Sequence, residues 1–314
     1  MKRALVLLNR AAGSGRAGAL WRRLEHEVAE LETCEVVVAA SAAAARDQLM
    51  THLRARQVER LIAIGGDGTA HLAVDALLAA ERGDVGFGLL AAGTGSDFDR
   101  HLQRRMMRMA KSQGRRPSLE TDPARRLSRI LRASDAQPID AIEMHFDDGE
   151  RRFGLNIASA GLSGAVDAAV ERGRRHGSGS YLRATLGVLA RYRPPSLRVA
   201  VDDELIHDGP LFLVAMANGS SFGKGMLVAP DAEIDDGLLD VVLVPPQARW
   251  KLPWLLPQFL AGRHVRRPQI LVRRAREVRL EPAKSEPPFD FDGETLSARP
   301  ARIRCLPRAI RLLG

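Results

Sequence analysis

The first part of the chain alternates short apolar runs with longer stretches in which apolar residues recur at helical spacing. In the stretch 17–32, for example, Leu20, Leu24 and Val28 share one face of a helix. The predicted strands and helices follow in turn: Ala4–Leu8, 17–32, Glu35–Ala39, 42–56, Arg60–Ile64, 70–81 and Gly86–Ala91. Short strands that alternate with helices predict a doubly wound, three-layer α/β domain on a parallel sheet.

Strands dominate the part of the chain after Ile139, and a helix is predicted there only near 180–191. The predicted strands are Ala141–His145, Arg152–Ile157, Leu197–Val201, Leu211–Ala217, Leu239–Val244, Val278–Leu280, Phe289–Asp292 and Ile303–Cys305. Asp202-Asp203 has the composition of a hairpin turn. This pattern predicts a second, antiparallel β-sandwich domain.

A basic segment rich in proline, serine and threonine separates these two parts, between Gln103 and Ala136. We interpret it as a helix, a mobile connector and a second helix near 123–133. The predicted domains are therefore an α/β domain over 1–135 and a β-sandwich over 136–302, with a cleft between them. We expect a strand near 303–314 to return to the first domain.

The composition is that of a globular protein and narrows the choice of partners. Of the 314 residues, 45% are hydrophobic and 27% are charged. Aromatic residues make up only 4%, which argues against stacking on single-stranded nucleic acid, and we expect no nucleic acid partner. The net charge of +9 favours phosphates and anionic membrane surfaces, unless it is simply a solvated basic surface.

Cysteines and apolar runs indicate a cytoplasmic protein. Cys34 and Cys305 are the only cysteines and form no disulfide framework or zinc spacing. The apolar run Leu5–Leu8 is too short for a signal peptide. The run Leu211–Ala217 is far shorter than the roughly 20 residues of a spanning helix.

The strongest local motif is Gly65-Gly66-Asp67-Gly68-Thr69, between a predicted strand and a predicted helix. Its glycines let backbone N–H groups approach a phosphate, and the helix N-terminus adds partial positive charge. Asp67 suits a role linked to magnesium or water. The alternative is a plain glycine-rich turn, which the strand–turn–helix context disfavours.

Two more loops follow predicted parallel strands, Asn9–Gly15 and Ala91–Phe98. Open α/β sheets bind ligands at the carboxyl ends of their strands, so the three loops predict one phosphate-lined crevice. Asn9 and Thr94 offer hydrogen bonds to a nucleotide. The alternative is ordinary helix capping by Ser14 and Asp97.

Together these motifs resemble the diacylglycerol kinase-like lipid kinases, a group that includes the sphingosine kinases. The resemblance covers nearly the whole chain, in this order: Asn9 with Ser14-Gly15, Gly65–Thr69, Gly93–Phe98, Phe153–Gly161, Asn218-Gly219, Pro230–Val241 and Phe291–Glu294. It implies ATP and Mg²⁺ as cofactors and a β-sandwich that binds the lipid. The nucleotide-binding residues that it implies are Asn9, Ser14, Ser41, Gly65, Gly66, Asp67, Gly68, Thr69 and Thr94.

Two acidic turns are the candidate chemical groups of the second domain. Asp235-Asp236-Gly237 offers hard oxygen ligands, and the resemblance implies a magnesium site made by the Asp236 carboxylate and the carbonyls of Glu233 and Leu238. The alternative is an Asp-Gly turn. Its crowded acids need a cation or nearby arginines.

The second turn, Asp292-Gly293-Glu294, follows an apolar strand. Phosphoryl transfer to a hydroxyl needs a carboxylate that accepts the proton, and the resemblance assigns this to Glu294 or Asp292. The two stay undecided here, and Asp67 completes the predicted catalytic set. Taken without the resemblance, the turn reads as an exposed β-turn.

The sequence departs from the family pattern at several places. Arg10 replaces a proline, and Ser41 stands where a threonine often contacts the nucleotide. His71 and Leu72 lie where the family usually has Asn and Glu, and Ser96 replaces an asparagine. These changes can retune the nucleotide site or weaken the enzyme.

Residues 249–267 combine tryptophans and leucines with basic residues. This composition suits a membrane interface, but a helix packed on the sandwich is the favoured interpretation. The basic stretch 104–132 is either a solvated face or a contact with an anionic membrane.

The predicted function is ATP-dependent transfer of the γ-phosphoryl group to a hydroxyl of a lipid such as diacylglycerol. Two alternatives are a soluble kinase of the NAD kinase type and a non-catalytic regulator that binds a nucleotide or a membrane. The expected partners are the nucleotide, the lipid and, transiently, an anionic membrane surface. The sequence does not identify the lipid, and it leaves the oligomeric state open, a homodimer included.

Overall fold

The structure is a computed structural model. It describes residues 3–55, 57–93, 96–116, 120–165, 188, 192–223, 225–248, 252–283, 288–297 and 299–314. The predicted nucleotide contact Thr94 and, apart from residue 188, the predicted helix at 180–191 lie outside the described residues. The chain forms two compact units: unit 1 is Met1–Ala141 with Arg308–Gly314, and unit 2 is Ile142–Pro307.

Unit 1 is an α/β unit on a parallel sheet. Its elements are β1 (Ala4–Leu8), α1 (Arg16–Glu27), β2 (Glu35–Val37), α2 (Ala42–Arg54), β3 (Arg60–Gly65), α3 (Asp67–Ala79), β4 (Gly86–Ala91), α4 (Asp97–Ser112) and α5 (Pro123–Arg132). The strand order is β2-β1-β3-β4, and each pair is parallel. Every residue of β1 and β3 is buried, which is typical of parallel strands covered on both faces.

The last residues of the chain add a strand to this sheet. In β16 (Ala301–Leu312), Arg311 and Leu312 pair in parallel with Gly86 and Phe87 of β4. Leu313 then joins the apolar cluster formed by β1, β3, α1 and α5.

Two helices of unit 1 differ most from their predicted bounds. The helix predicted over 17–32 ends at Glu27, because Val28 turns to an extended backbone and a 3₁₀ turn follows over Ala29–Thr33. Val28 and Leu31 are still buried, so the apolar spacing holds although the helix does not. Helix α4 begins at Asp97, before the basic segment in which a helix was expected.

Unit 2 is an antiparallel β-sandwich. Its elements are β5 (Gln137–Phe146, which starts in unit 1), β6 (Arg151–Gly154), β7 (Ile157–Gly161), β8 (Ser196–Val201), β9 (Glu204–Pro210), β10 (Leu213–Ala217), β11 (Leu239–Val244), α6 (Leu252–Leu260), β12 (Leu271–Ala275), β13 (Glu277–Pro282), β14 (Pro288–Phe291), β15 (Glu294–Ser297) and the start of β16. One sheet has the order β12-β11-β10-β7-β14-β15. The other holds β16-β13-β8-β9 with the β5–β6 hairpin.

Strand β10 shows how the six-stranded sheet is buried on both faces. Val214 and Met216 lie in the core between the two sheets, with Phe289 and Phe291 of β14. Ala215 and its alternate neighbours lie in a second apolar cluster, which α6 covers. The period of two residues in a strand produces this division.

The strand predicted over Arg152–Ile157 is two strands. β6 ends at Gly154, and β7 starts at Ile157 and pairs with other partners. Three strands that the apolar pattern did not predict are β9, β12 and β15, which are short or largely exposed.

The fold class is confirmed, with an α/β unit at the N-terminus and a separate antiparallel β-sandwich. In the part of the chain that the structure describes, every helix is too short or too polar to cross a bilayer.

Candidate functional site

Three loops of unit 1 meet where β1, β3 and β4 end. The amide of Asn9, after β1, donates to the carbonyl oxygen of Ile64 at 3.1 Å. The amides of Ala92 and Gly93, after β4, both donate to the carbonyl oxygen of Gly65, at 2.7 and 3.1 Å. The structure therefore brings the three loops together at the carboxyl edge of the parallel sheet, where open α/β sheets bind their ligands.

Glycine is needed where these loops touch. A Cβ atom on Gly93 would lie 2.5 Å from the Cα atom of Gly66. A Cβ atom on Gly13 would lie 2.3 Å from the carbonyl oxygen of Ala92. Because the opposing atoms belong to the backbone, no side-chain rotation can relieve such contacts, and a larger residue would separate the loops.

The substitution Gly93→Ala tests this packing. We expect it to weaken nucleotide binding at least about tenfold and to cost about 1–3 kcal/mol of stability, as overpacking usually does. A fluorescent ATP analogue and thermal unfolding measure the two effects.

Gly68→Ala is the matched control for stability, because a Cβ atom there meets nothing within 4 Å. We expect Gly68→Ala to leave the melting temperature unchanged or slightly raised. Equal stability of the two variants would contradict the packing role of Gly93.

The start of α3 is suited to an anion. Gly66 is its N-cap residue and provides no side-chain cap, while the amides of Thr69 and Ala70 donate to the Gly66 carbonyl at 3.0 and 3.1 Å. The helix dipole favours negative charge at this end. Thr69 Oγ1 is buried and has no hydrogen-bond partner among the described residues, so a ligand oxygen here would satisfy it.

The other predicted nucleotide contacts have local roles in unit 1. Asp67 Oδ1 accepts the amide of Phe98 at 3.3 Å and so links the start of α3 to that of α4. Asn9 Oδ1 accepts the amide of Ala11 at 3.2 Å, and Ser41 Oγ caps α2 through the amide of Ala44 at 3.2 Å. Ser14 is exposed, with φ 58° in the left-handed region. Their binding of a nucleotide stays a prediction.

In unit 2, a tight hairpin carries the two candidate proton acceptors. Asp292 and Gly293, with φ of 52° and 90°, connect Phe291 of β14 to Glu294 of β15. Two left-handed residues in a two-residue turn are typical of hairpins, and Asp-Gly is a preferred pair for them. Glu294 is half-buried, and Asp292 is buried.

The Asp292 carboxylate binds the backbone on both of its oxygens. Oδ2 accepts the amide of Leu155 at 2.7 Å, and Oδ1 accepts those of Asn156 and Ile157 at 3.0 and 2.8 Å. These amides lie where β6 ends and β7 begins, which explains why the apolar run divides there. Asp292 therefore serves as an anchor for the β6–β7 turn.

The motif residues around this turn had no predicted role. Asn156 Nδ2 donates to the carbonyl of Ser221 at 2.9 Å, and Asn218 Nδ2 donates to that of Leu155 at 2.7 Å. The amides of Asn218 and Gly219 both donate to the Asn156 carbonyl at 2.9 Å. The signal that could have revealed this cluster was the presence of both segments among the family-like motifs.

The predicted metal-binding loop contains an ion pair. Asp236 Oδ1 accepts the amide of Leu238 at 3.0 Å, and Oδ2 pairs with the Arg274 guanidinium. One arginine thus offsets part of the charge of the crowded acids. Among the described residues, no three His, Cys, Asp or Glu side chains are grouped to hold a metal ion. The predicted set uses one carboxylate and two backbone carbonyls.

Asp240, next to this loop on β11, is a buried carboxyl group with acidic neighbours. It is 7% exposed. Burial, and then the charges of Asp231 and Glu233, raise the pKa of Asp240 to about 6. The charges of Asp231 and Glu233 oppose the ionisation of Asp240, and a bound cation would offset them; a magnesium site made by Asp236, Glu233 and Leu238 stays a prediction.

The substitution Asp240→Asn tests, through the pH dependence of stability, whether the surroundings of Asp240 oppose its ionisation. The folded pKa of about 6 lies above the unfolded value of about 3.9, so ionisation destabilises the fold at high pH. We expect Asp240→Asn to stabilise the protein by roughly 1–3 kcal/mol at pH 8, and this gain should fade as pH falls from about 6 to about 4. Thermal unfolding in EDTA measures it, and a gain independent of pH would contradict the electrostatic origin.

Both parts of the chain match known families. Residues 3–144 match the family described as the diacylglycerol kinase catalytic domain. Residues 156–314 match the YegS C-terminal NAD kinase beta sandwich-like domain. The chain belongs to the diacylglycerol kinase-like lipid kinase family. The resemblance carried by the sequence motifs is confirmed.

The names of individual relatives support this assignment to the family. A diacylglycerol kinase of Mycobacterium tuberculosis (strain CDC 1551 / Oshkosh) is 28% identical over 262 residues, which cover 82% of this chain and 78% of the relative. A probable lipid kinase YegS-like protein of Xanthomonas euvesicatoria pv. vesicatoria (strain 85-10) is 30% identical, over 81% of this chain and 78% of its own. Relatives with these names place the protein among kinases, which are phosphotransferases.

A solved structure matches nearly the whole chain. It is a diacylglycerol kinase from Bacillus anthracis str. Sterne, with a TM-score of 0.68 and 16% identity, covering 99% of this chain and 96% of its own. At this identity, the match supports the fold alone.

Proposed function

We propose that this family member is an ATP-dependent lipid kinase that transfers the γ-phosphoryl group to a hydroxyl of a lipid such as diacylglycerol. The observation that carries the proposal is the convergence of three glycine-containing loops at the carboxyl edge of the unit 1 sheet. Membership in a family whose relatives are named as lipid kinases supports the choice of acceptor.

Unit 1 holds the nucleotide in this proposal. The N-terminus of α3 and the backbone of the three loops bind its phosphates, as helix N-termini and glycine-rich turns do. The buried Oγ1 of Thr69 donates to a phosphate oxygen and so gains the hydrogen-bond partner that it does not have among the described residues. Asp67 holds the loop after β4 in place by accepting the Phe98 amide.

Glu294 is the proposed proton acceptor, and Asp292 its positioning residue. Both oxygens of Asp292 accept backbone amides, so this carboxylate is already engaged in holding the β6–β7 turn. Glu294 follows the rigid Asp292-Gly293 turn and is partly accessible. As the lipid oxygen attacks the γ-phosphorus, its proton passes to Glu294, the bond to the bridging oxygen breaks, and ADP leaves.

Asp236, through its side chain, and Glu233 and Leu238, through their carbonyls, would hold Mg²⁺. The ion, when bound, spreads the negative charge that develops on phosphoryl oxygens. Arg274 keeps the Asp236 carboxylate oriented and shares its charge.

Labelling of a lipid extract tests the proposal. Purified protein with radiolabelled ATP and Mg²⁺ should transfer phosphate to an extractable lipid. The description of the matched C-terminal family motivates NAD as the second acceptor to test. Label on NAD and not on lipid would refute the lipid kinase assignment, and nucleotide binding without any transfer would indicate a regulator.

A further inference from the structure

Helix α6 is apolar on the face that it buries and also on the face that it exposes. Leu255 and Phe259, 4% and 8% exposed, pack on the outer side of the six-stranded sheet. On the opposite face, Trp254 is 72% exposed and Leu260 is 53% exposed, with Pro257 exposed between them. Residues at positions i, i+3 and i+6 lie along one side of a helix, so these three form a continuous stripe. We call Trp254, Pro257 and Leu260 the outer stripe.

The helix is held firmly on unit 2, so the outer stripe has a fixed orientation. The amide of Leu227 donates to the Phe259 carbonyl at 2.9 Å. The buried ring of His264 stacks on Phe259 at 3.9 Å between centroids, and its Nε2 lies 3.0 Å from the Val228 carbonyl. Gln258, the polar residue of the helix, carries no charge, and its side-chain amide bonds to the carbonyl oxygen of Trp254 and to Nε of Arg267.

An exposed apolar face on such a helix indicates that another apolar surface packs against it. Surface helices normally carry charged or polar residues on the side away from the core, and helices that are apolar all round are normally buried. A tryptophan that is mostly exposed is also unusual in a protein surface and frequent at membrane–water interfaces.

The charges around the outer stripe indicate which kind of surface packs against it. No Asp or Glu occurs between Asp240 and Glu277, whereas this stretch contains seven arginines and one lysine. Of these, Arg263 and Arg266 are exposed just after the helix. A short apolar face with a tryptophan and flanking arginines matches the headgroup region of an anionic bilayer, in which apolar groups insert and cations meet phosphates.

We propose that the outer stripe of α6 inserts into the interface of an anionic membrane, with Trp254 as the main anchor and Arg263 and Arg266 on lipid phosphates. This inference rests on the proposed function, because a lipid kinase must meet its acceptor at a bilayer. It assigns that contact to one surface of unit 2.

Vesicle binding tests the inference without requiring turnover. The wild-type protein should bind vesicles of phosphatidylglycerol and phosphatidylcholine, and Trp254→Ala with Leu260→Ala should bind at least about tenfold more weakly. Arg263→Glu with Arg266→Glu should remove the preference for phosphatidylglycerol. All the replaced side chains are exposed, so thermal unfolding should not change.

Leu205→Ala is the matched control, since Leu205 is a 55% exposed leucine of β9 in the same unit. We expect it to bind vesicles like the wild type. Unchanged binding by the Trp254→Ala, Leu260→Ala protein would overturn the inference. So would a wild-type dimer that this variant converts to monomer in sedimentation, without any effect on vesicles, because the stripe would then be covered by a second copy.

Lipids brominated in their acyl chains report insertion directly. They should quench the wild-type tryptophan fluorescence, and Trp254→Phe should bind vesicles but lose much of that quenching. Trp250 is replaced by phenylalanine in both proteins, and the buried Trp21, 4% exposed, should contribute a constant background. Quenching that persists undiminished in Trp254→Phe would contradict insertion at this position.

Kinase assays separate this inference from the proposed function. The outer-stripe variant should phosphorylate a short-chain, water-soluble diacylglycerol at the wild-type rate and long-chain diacylglycerol in vesicles at least about tenfold more slowly. Equal rates on both substrates would refute the inference alone. A wild-type protein that phosphorylates neither would refute the proposed function, while the vesicle result would still decide the membrane contact.

Discussion

Glu294→Gln is expected to lower kcat for lipid phosphorylation at least about a hundredfold, the usual contribution of a general base. Glutamine has nearly the same shape but cannot take the hydroxyl proton at neutral pH. The residue is half-buried and starts β15, so the hairpin should form as before. We expect the free energy of unfolding, measured with urea, to change by less than about 0.5 kcal/mol.

The chain contains a matched control for this substitution. Glu204 also begins a strand directly after a two-residue turn with left-handed residues, Asp202 and Asp203, at φ 45° and 69°. Glu204 is exposed, and Glu204→Gln should retain full activity. Comparable turnover in Glu294→Gln and the wild type would eliminate Glu294 as the proton acceptor.

Asp292→Asn is expected to destabilise unit 2 by about 2–4 kcal/mol, the cost of weakening charge-assisted bonds and leaving a buried donor unsatisfied. The asparagine keeps the tolerance for a left-handed backbone, so turn strain adds little. Its amide nitrogen, however, cannot accept a hydrogen bond, and one carboxylate oxygen here serves the Leu155 amide at 2.7 Å while the other serves Asn156 and Ile157. Urea denaturation followed by circular dichroism measures the loss.

Asp203→Asn provides the comparison for Asp292→Asn. Asp203 is a left-handed, exposed residue in the β8–β9 turn, where the same chemical change should alter stability by less than about 0.5 kcal/mol. A similarly small effect at Asp292 would show that its three bonds to the backbone contribute little. In that case the assignment of Asp292 as an anchor and Glu294 as the acceptor would have to be reopened.

The strand–turn–helix pattern of unit 1 could be predicted because its signals are local. Apolar runs in β1, β3 and β4 alternate with helical spacing, and each loop contains the glycines that its close approach to a neighbour requires. Parallel strands that are each followed by a helix place their loops on one edge, so the convergence of the loops follows from topology. The end of α1 could not be predicted, since Val28 and Leu31 lie at helical spacing and are buried although the helix ends before them.

In unit 2 the sequence alone determined that strands would form, and Asp292-Gly293-Glu294 had the composition of a β-turn. The tertiary structure decided what Asp292 does: it binds amides 135 to 137 residues earlier in the chain, and no local pattern encodes such a distance. Only the structure shows that Arg152–Ile157 forms two strands and that Asp236 pairs with Arg274. It also shows that Trp254 is exposed while Phe259 is buried. Periodicity specifies which residues share a face, but the elements that pack on that face decide whether it is buried.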